Sequence, residues 1–390
     1  MTDQPLRVLF IVNSLCFGGA EKHAVTLANA LGQRNFDVSL VYLKNDVALL
    51  PQVDVQCVSR GVFCANVRCK VDRQAISRIA IHLRRQRVDL IVCINTYALL
   101  YGALARKAAH SSCRIADLFH TTEVGSFKER AQMWFYRPFI LRTDLLVYVC
   151  TTQQRYWRNR LLRARQDVVI HNGIDLARFS VDAVREAGAG FRKRHDLPAA
   201  ARVVGLCAAM RPEKAHGDLL QAIALLRCEG LNVHALLIGD GVQRLQIMHQ
   251  VRQLGLQEQV VITGFMDDVR PAVAACDMMA IVSHHVETFS IAALEAMAMG
   301  KPMVMSDIGG AAEQVAPGEN GYLYPRGDIS ALAGAIRLLC EPHHARRLGA
   351  AARAVTERRF VLSVMVDRYV QAFTTLCSAE AGQARQVNAA

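Results

Sequence analysis

Short apolar runs alternate with helical stretches in this chain, and the alternation runs twice. In the first half "LRVLFIVNS" reads as a buried strand and "AEKHAVTLANALGQR" as an amphipathic helix. "DVSLVYL", "DLIVCIN", "RIADLFH", "LLVYVC" and "DVVIHNG" follow as strands, with helical stretches between them. Residues 175–200 interrupt the pattern with charge, Gly and Pro. The second half then restarts it: "RVVGLCAAM", "HGDLLQAIALLRCEG", "VHALLIGDG", "VVITGF", "MMAIVS", "PMVMSD", "NGYLY" and "ISALAGAIRLLC". Strands alternating with helices predict parallel, doubly wound sheets, and 390 residues give room for two such domains. The expectation is an α/β chain of two Rossmann-like parallel-sheet domains facing each other across a cleft, with ligands held where strand C-termini meet it. The reading places the first domain at residues 1–178, the second at 179–359, a further amphipathic helix at 360–378 and a loose tail at 379–390.

Charge divides the two halves. Residues 1–185 carry 26 Lys and Arg against 14 Asp and Glu, whereas residues 186–390 carry 20 against 20. The whole excess of +12 therefore belongs to the first half, which suggests an anionic surface or a polyanionic partner. Two stretches there, "FKERAQMWFYRPFILR" (127–142) and "QQRYWRNRLLRARQ" (153–166), interleave arginines with aromatics, including both tryptophans, Trp134 and Trp157. That mixture suits an anionic membrane interface, although ordinary packing with solvated arginines is a competing reading. No nucleic-acid motif accompanies the charge, so nucleic acid is not expected as a partner. No export signal is evident, and the longest uncharged stretch, Leu90 to Ala105, falls short of the roughly 20 residues that span a bilayer. Twelve scattered cysteines without a CxxC read as inert, buried thiols in a reducing cytosol.

The segment "VETFSIAALEAMAMGKP" (286–302) raises the sharpest chemical question. Ser290 predicts an N-cap, 291–299 are strong helix formers, and Gly300 with Pro302 predict the stop. Glu287 then lies in the loop before the helix and Glu295 more than a turn inside it. At about 1.5 Å per residue they stand roughly 12 Å apart along the axis, too far to act as one pair on a single bond. A carboxylate on an apolar helix needs partners. Either a salt bridge elsewhere in the fold supplies them, or Glu295 accepts from a ligand diol while the helix N-terminus faces an anion. In "AAMRPEKAH" (208–216), Arg211 and Lys214 follow a strand and would neutralise a diphosphate leaving group there, a solvated loop being the alternative. Gly18 and Gly19 open the first helix and could let the backbone approach a phosphate or an acceptor. "IGDG" with Gly239 and "TGF" with Phe265 end strands and could admit a base or phosphate. His120 ends the strand "RIADLFH" and would face the same cleft. His284 and His285 read as loop residues and not as metal ligands. No D-x-D occurs, so no divalent-cation clamp is expected.

Together these stretches resemble glycosyltransferase family 4, the retaining enzymes of GT-B fold. "ETFSIAALEAMAMGKPMVMSDIGGAAEQVAPGENGYLY" resembles the E-x(7)-E signature, and "GGAEKHAVTLANAL", "HNGIDLARF", "MRPEKAHGDLLQAIALL" and "LLIGDG" follow the family's other landmarks in order. The similarity spans roughly residues 6–375. It implies an acceptor-binding first domain, a nucleotide-sugar-binding second domain, and a last helix crossing back onto the first. It implies Glu295 on the ribose hydroxyls, Glu287 beside the reacting carbon of the transferred sugar, and Arg211 and Lys214 on the diphosphate. Backbone amides of Phe289 and Ser290 would reach the phosphates, with Ile291 opening the helix at the donor. Gly18 and Gly19 match the loop facing donor phosphate and acceptor, His120 the first-domain histidine near the donor sugar. The chain departs from the usual pattern at Thr288-Phe289-Ser290, where many members have Gly-Phe-Gly, and at Ala209, where many carry the arginine. The implied partners are a UDP- or GDP-linked sugar and a lipid-linked or glycan acceptor, with no metal and no cofactor, at the inner face of the cytoplasmic membrane. A catalytically silent nucleotide-sugar-binding component of a polysaccharide synthesis complex is the alternative.

Overall fold

The computed structural model describes residues 4–124, 127–180, 182–285 and 287–387. The chain forms two compact units. Unit 1 comprises Met1–His171 and Met365–Ala390, and unit 2 comprises Asn172–Val364.

Unit 1 is built on a parallel sheet of strands β1 (Leu6–Val12), β2 (Phe36–Tyr42), β3 (Val62–Cys64), β4 (Leu90–Ile94), β5 (Arg114–Phe119), β6 (Leu145–Tyr148) and β7 (Gln166–Val169). Their order across the sheet is β3-β2-β1-β4-β5-β6-β7. The runs are nearly continuous in apolar residues because helices cover both faces of such a sheet and leave no wet side. β1 and β4 pair with Val8 opposite Leu90 and Ile11 opposite Cys93. The helices Gly19–Gly32, Arg73–Gln86 and Asn95–Ala109 bury Leu27, Ile79 and Tyr101 against it.

Unit 2 repeats the plan with β8 (Arg202–Cys207), β9 (Val233–Ile238), β10 (Val260–Gly264), β11 (Met278–Ile281), β12 (Met303–Ser306) and β13 (Gly321–Tyr324), in the order β10-β9-β8-β11-β12-β13. Two parallel-sheet, Rossmann-like units are the architecture expected from the alternating pattern.

Several local features differ from the sequence reading. β3 is three residues long, too short for a periodic signal. The chain passes from unit 1 to unit 2 between His171 and Asn172. The segment read as a junction contains a helix, Arg185–Arg194, that belongs to unit 2. Phe191 is buried there, and the Arg192 guanidinium donates to Asp277 at 2.6 Å and to the Ala275 carbonyl at 2.7 Å. The charge in this stretch is thus partly structural. The C-terminal helix runs Leu362–Val387, well past Ser378, and residues 388–390 of the expected tail lie outside the described residues. Of the cysteines, Cys69 and Cys228 are exposed, so the thiols are not uniformly buried. Among the described residues no helix is long and apolar enough to cross a membrane.

Candidate functional site

In unit 2 the site residues stand on loops after the C-terminal ends of parallel strands. The strand order reverses between β8 and β11, the switch point where such sheets bind ligands. The loop after β8 carries Arg211 and Lys214, and the loop after β11 carries Glu287. Lys214 Nζ donates to Glu287 Oε2 at 2.6 Å, and Ser283 Oγ donates to the same oxygen at 3.1 Å. The two site charges that the sequence placed 73 residues apart are therefore an ion pair. Arg211 does not join them. Its guanidinium is exposed and has no partner among the described residues.

The helix after Glu287 forms as its sequence requires, over Ile291–Ala298. Ser290 Oγ caps it by accepting from the Ala293 amide at 3.3 Å, and Gly300, at φ +68, takes the left-handed conformation just past its end. Glu295 is 4% exposed within this otherwise apolar helix. The Ser290 amide does not point to a ligand as expected. It donates to Gln314 Oε1 at 3.1 Å, while Gln314 Nε2 donates back to the Ser290 carbonyl at 2.9 Å. Phe289 is buried, with its ring edge-on to Phe360 and its carbonyl accepting from Asn172 Nδ2 at 2.9 Å.

Glycine is required at two places beside this site. Gly309 has φ +56, and a Cβ there would sit 1.9 Å from the Glu287 carbonyl oxygen. Gly239, at the end of β9, has φ +137, and its Cβ would meet the Ala208 carbonyl at 2.2 Å. Phe265 follows β10 and is about half exposed.

Unit 1 places its own candidates at the same ends of its strands. Gly18 caps the helix Gly19–Gly32 in an extended conformation, and a side chain at Gly19 would meet open space. His120 follows β5, partly buried, and its backbone amide donates to Asn95 Oδ1 at 2.8 Å. Burial, reinforced by His23, pushes its pKa down to about 3, so the imidazole is neutral. The His23 ring packs edge-on to it at 5.3 Å, and His23 Nε2 lies 3.2 Å from the Tyr369 hydroxyl of the C-terminal helix. Neither His23 nor Tyr369 was marked by sequence reasoning, and no short-range signal points to either.

The basic aromatic stretches divide. The helix Phe127–Leu141 exposes Phe127, Trp134 and Phe135. Trp157 is instead 2% exposed and donates from Nε1 to the Thr121 carbonyl at 2.8 Å, so it is a core residue. Arg158 pairs with Asp167, and the Arg160 guanidinium lies 3.6 Å from the Tyr156 ring centre.

Comparison with known proteins fits this geometry. The family model for glycosyl transferases group 1 matches residues 190–355, and that for Glycosyltransferase Family 4 matches residues 17–178. The GDP-mannose-dependent alpha-(1-6)-phosphatidylinositol monomannoside mannosyltransferase of Mycolicibacterium smegmatis is 31% identical over 65% of this chain and 68% of its own. The chain belongs to the group 1 glycosyl transferases of GT-B type. The lipopolysaccharide core biosynthesis glycosyltransferase LpsE of Rhizobium meliloti is 26% identical over 91% of this chain and 95% of its own. The N-acetyl-alpha-D-glucosaminyl L-malate synthase of Bacillus anthracis matches over less, 30% identical across 46% of each chain. Among solved structures, Anabaena Alr3699/HepE in complex with UDP-glucose superposes with a TM-score of 0.83 at 23% identity, covering 95% of this chain and 100% of that one. At that identity the likeness is one of fold. This glycosyltransferase thus has relatives that work in lipopolysaccharide and glycan synthesis.

Proposed function

We propose that this glycosyltransferase moves a sugar, with retention at the anomeric carbon, from a nucleotide diphosphate-sugar to a hydroxyl of a lipid-linked or polysaccharide acceptor. The observation that carries the reading is the Lys214–Glu287 pair at the mouth of the helix that buries Glu295. Lys214 has three donors, enough to hold Glu287 and a phosphate oxygen together. Arg211, exposed and unengaged among the described residues, swings onto the diphosphate, and the N-terminal end of the helix Ile291–Ala298 adds its dipole. Glu295 accepts from the ribose hydroxyls and Glu287 contacts the transferred sugar. The lack of a D-x-D in the sequence leaves charge neutralisation to these cations, and no metal takes part.

The acceptor hydroxyl attacks from the leaving-group face. Its oxygen bonds to the anomeric carbon as the bond from that carbon to phosphate oxygen breaks, and its proton passes to the leaving phosphate. The donor base is uracil or guanine, as in the UDP-glucose and GDP-mannose named for similar proteins. Unit 1 takes the acceptor and, through the exposed aromatics and cations of the helix Phe127–Leu141, meets the anionic cytoplasmic face of the membrane. Nucleotide release from a panel of UDP- and GDP-sugars with candidate acceptors tests this reading. Wild type turns over at least one donor, and Lys214→Ala loses about 2.7–4 kcal/mol of leaving-group stabilisation, on the order of 10²–10³ in rate. Equal, background release by both proteins from every donor would overturn it.

A further inference from the structure

β11 ends at Ile281 and the next helix starts at Ile291, so no ladder or helix fixes Glu287 between them. What holds this loop is a set of individual main-chain and side-chain hydrogen bonds. At one end Ser306 Oγ donates to the Ser283 carbonyl at 2.8 Å, and at the other the Gly310 amide donates to the Thr288 carbonyl at 2.7 Å. Between these anchors the grip comes through His284. Its amide donates to the Glu213 carbonyl at 2.9 Å, and its carbonyl accepts from Arg326 Nη1 at 3.0 Å. Its ring nitrogen Nε2 lies 2.6 Å from Asp218 Oδ2. A carboxylate only accepts, so Nε2 carries the proton.

The geography of these bonds is what matters. Glu213 adjoins Lys214 in the turn Pro212–Lys214, and Asp218 lies in the first turn of the helix His216–Cys228 that follows it. His284 lies three residues before Glu287. Main chain and ring of one histidine thus bind the loop bearing the site's anion to the segment bearing its cation. Asp218 is mostly buried, with its side chain 13% exposed, and the buried Tyr324 ring stands near enough for the Asp218 charge to help push its hydroxyl pKa up, behind the larger effect of burial. The His284 side chain is 37% exposed, so the bond is buried on its carboxylate side and open to water on the ring side.

We propose that Asp218 and His284 form a positioning pair that fixes the separation of Lys214 and Glu287. The inference rests on the glycosyl-transfer reading for its catalytic consequence, but the geometry can be read without turnover. A water-soluble carbodiimide joins an amine and a carboxylate in direct contact, forming an amide with loss of one water. Mass spectrometry of the digested full-length protein then measures the Lys214–Glu287 cross-link with no donor present. His284→Ala and Asp218→Ala are expected to lower its yield several-fold. His284→Gln places a side-chain N–H near the position of Nε2 and is expected to retain it. The double Ala variant is expected to be no worse than either single one, because both remove the same bond.

In turnover, the Ala variants lose kcat by about 10–100-fold while the donor KM moves less than about twofold, as for a misplaced group that binds ground and transition states unequally. A purely structural loss would lower the amount of folded protein without this split or the Gln rescue. The proposal is overturned if cross-linking in the Ala variants equals wild type, or if Gln loses as much as Ala. Should the cross-link pattern hold while wild type releases no nucleotide from any donor, the positioning pair stands and the transfer reading falls.

Discussion

Asp117 offers a quantitative test of the structure. It lies in the middle of β5, opposite Cys93 of β4 and Leu146 of β6, and is fully buried. Neither of its carboxyl oxygens has a hydrogen-bond partner among the described residues. Burial pushes its pKa well above the ordinary carboxylate value. The folded protein therefore keeps a proton that the unfolded chain, with a carboxyl pKa near about 3.9, has already released. Its contribution is fully favourable below the unfolded value and is lost as pH rises toward the folded one, with a slope of about 1.4 kcal/mol per pH unit. As pH rises above the unfolded carboxyl value, unit 1 therefore loses stability through this residue until the buried group itself ionises. Asp117→Asn keeps the size and removes the proton. Any packing cost of the amide moves its stability curve vertically and leaves the slope of the difference unchanged. The assay is urea unfolding followed by tryptophan fluorescence, which reports on unit 1 because Trp134 and Trp157 both lie there. Plotted against pH, the stability of Asp117→Asn minus that of wild type should climb by about 1.4 kcal/mol per unit above about pH 4. A flat difference over that range would show that Asp117 ionises in the folded state, and the reasoning from burial would be wrong.

Two further outcomes follow from the geometry. Gly309→Ala places a Cβ against the Glu287 carbonyl at a left-handed φ and should cut turnover by about 10²-fold through displacement of the loop, with tryptophan-monitored unfolding of unit 1 unchanged; normal turnover would argue against the close approach. Trp134→Ser with Phe135→Ser should weaken co-sedimentation with phosphatidylglycerol vesicles, and added salt should weaken it further, whereas Arg158→Ala should have little effect because that side chain is engaged by Asp167; unchanged sedimentation of the aromatic variant would remove the membrane face from the helix Phe127–Leu141.

The legible parts of this protein were those written in local chemistry. Ser290, the Ala, Leu and Met run, and Gly300 announce one short helix, and the structure forms it within a residue of those signals. Short apolar runs announce twelve of the thirteen strands, the exception being "VFC", which is too short to carry a period. What stayed hidden depends on partners far along the chain. The Ser290 amide looks like a phosphate donor until Gln314, 24 residues on, is seen to accept from it. Trp157 shares its basic surroundings with Trp134, yet one is core and the other surface, because composition does not say which side of a helix faces the sheet. In the sequence His284 is a loop residue and nothing more, because Asp218, its partner, lies 66 residues earlier and contributes no local signal. The same distinction separates the two charges of the ion pair from the apparatus around them. Lys214 and Glu287 carry their chemistry in their own side chains and can be picked out singly. Their distance is a property of the turn, loop and helix that Asp218 and His284 join, and only the folded unit brings those together. For that reason the most informative substitutions at this site are those that leave both charges in place and change only what holds them apart.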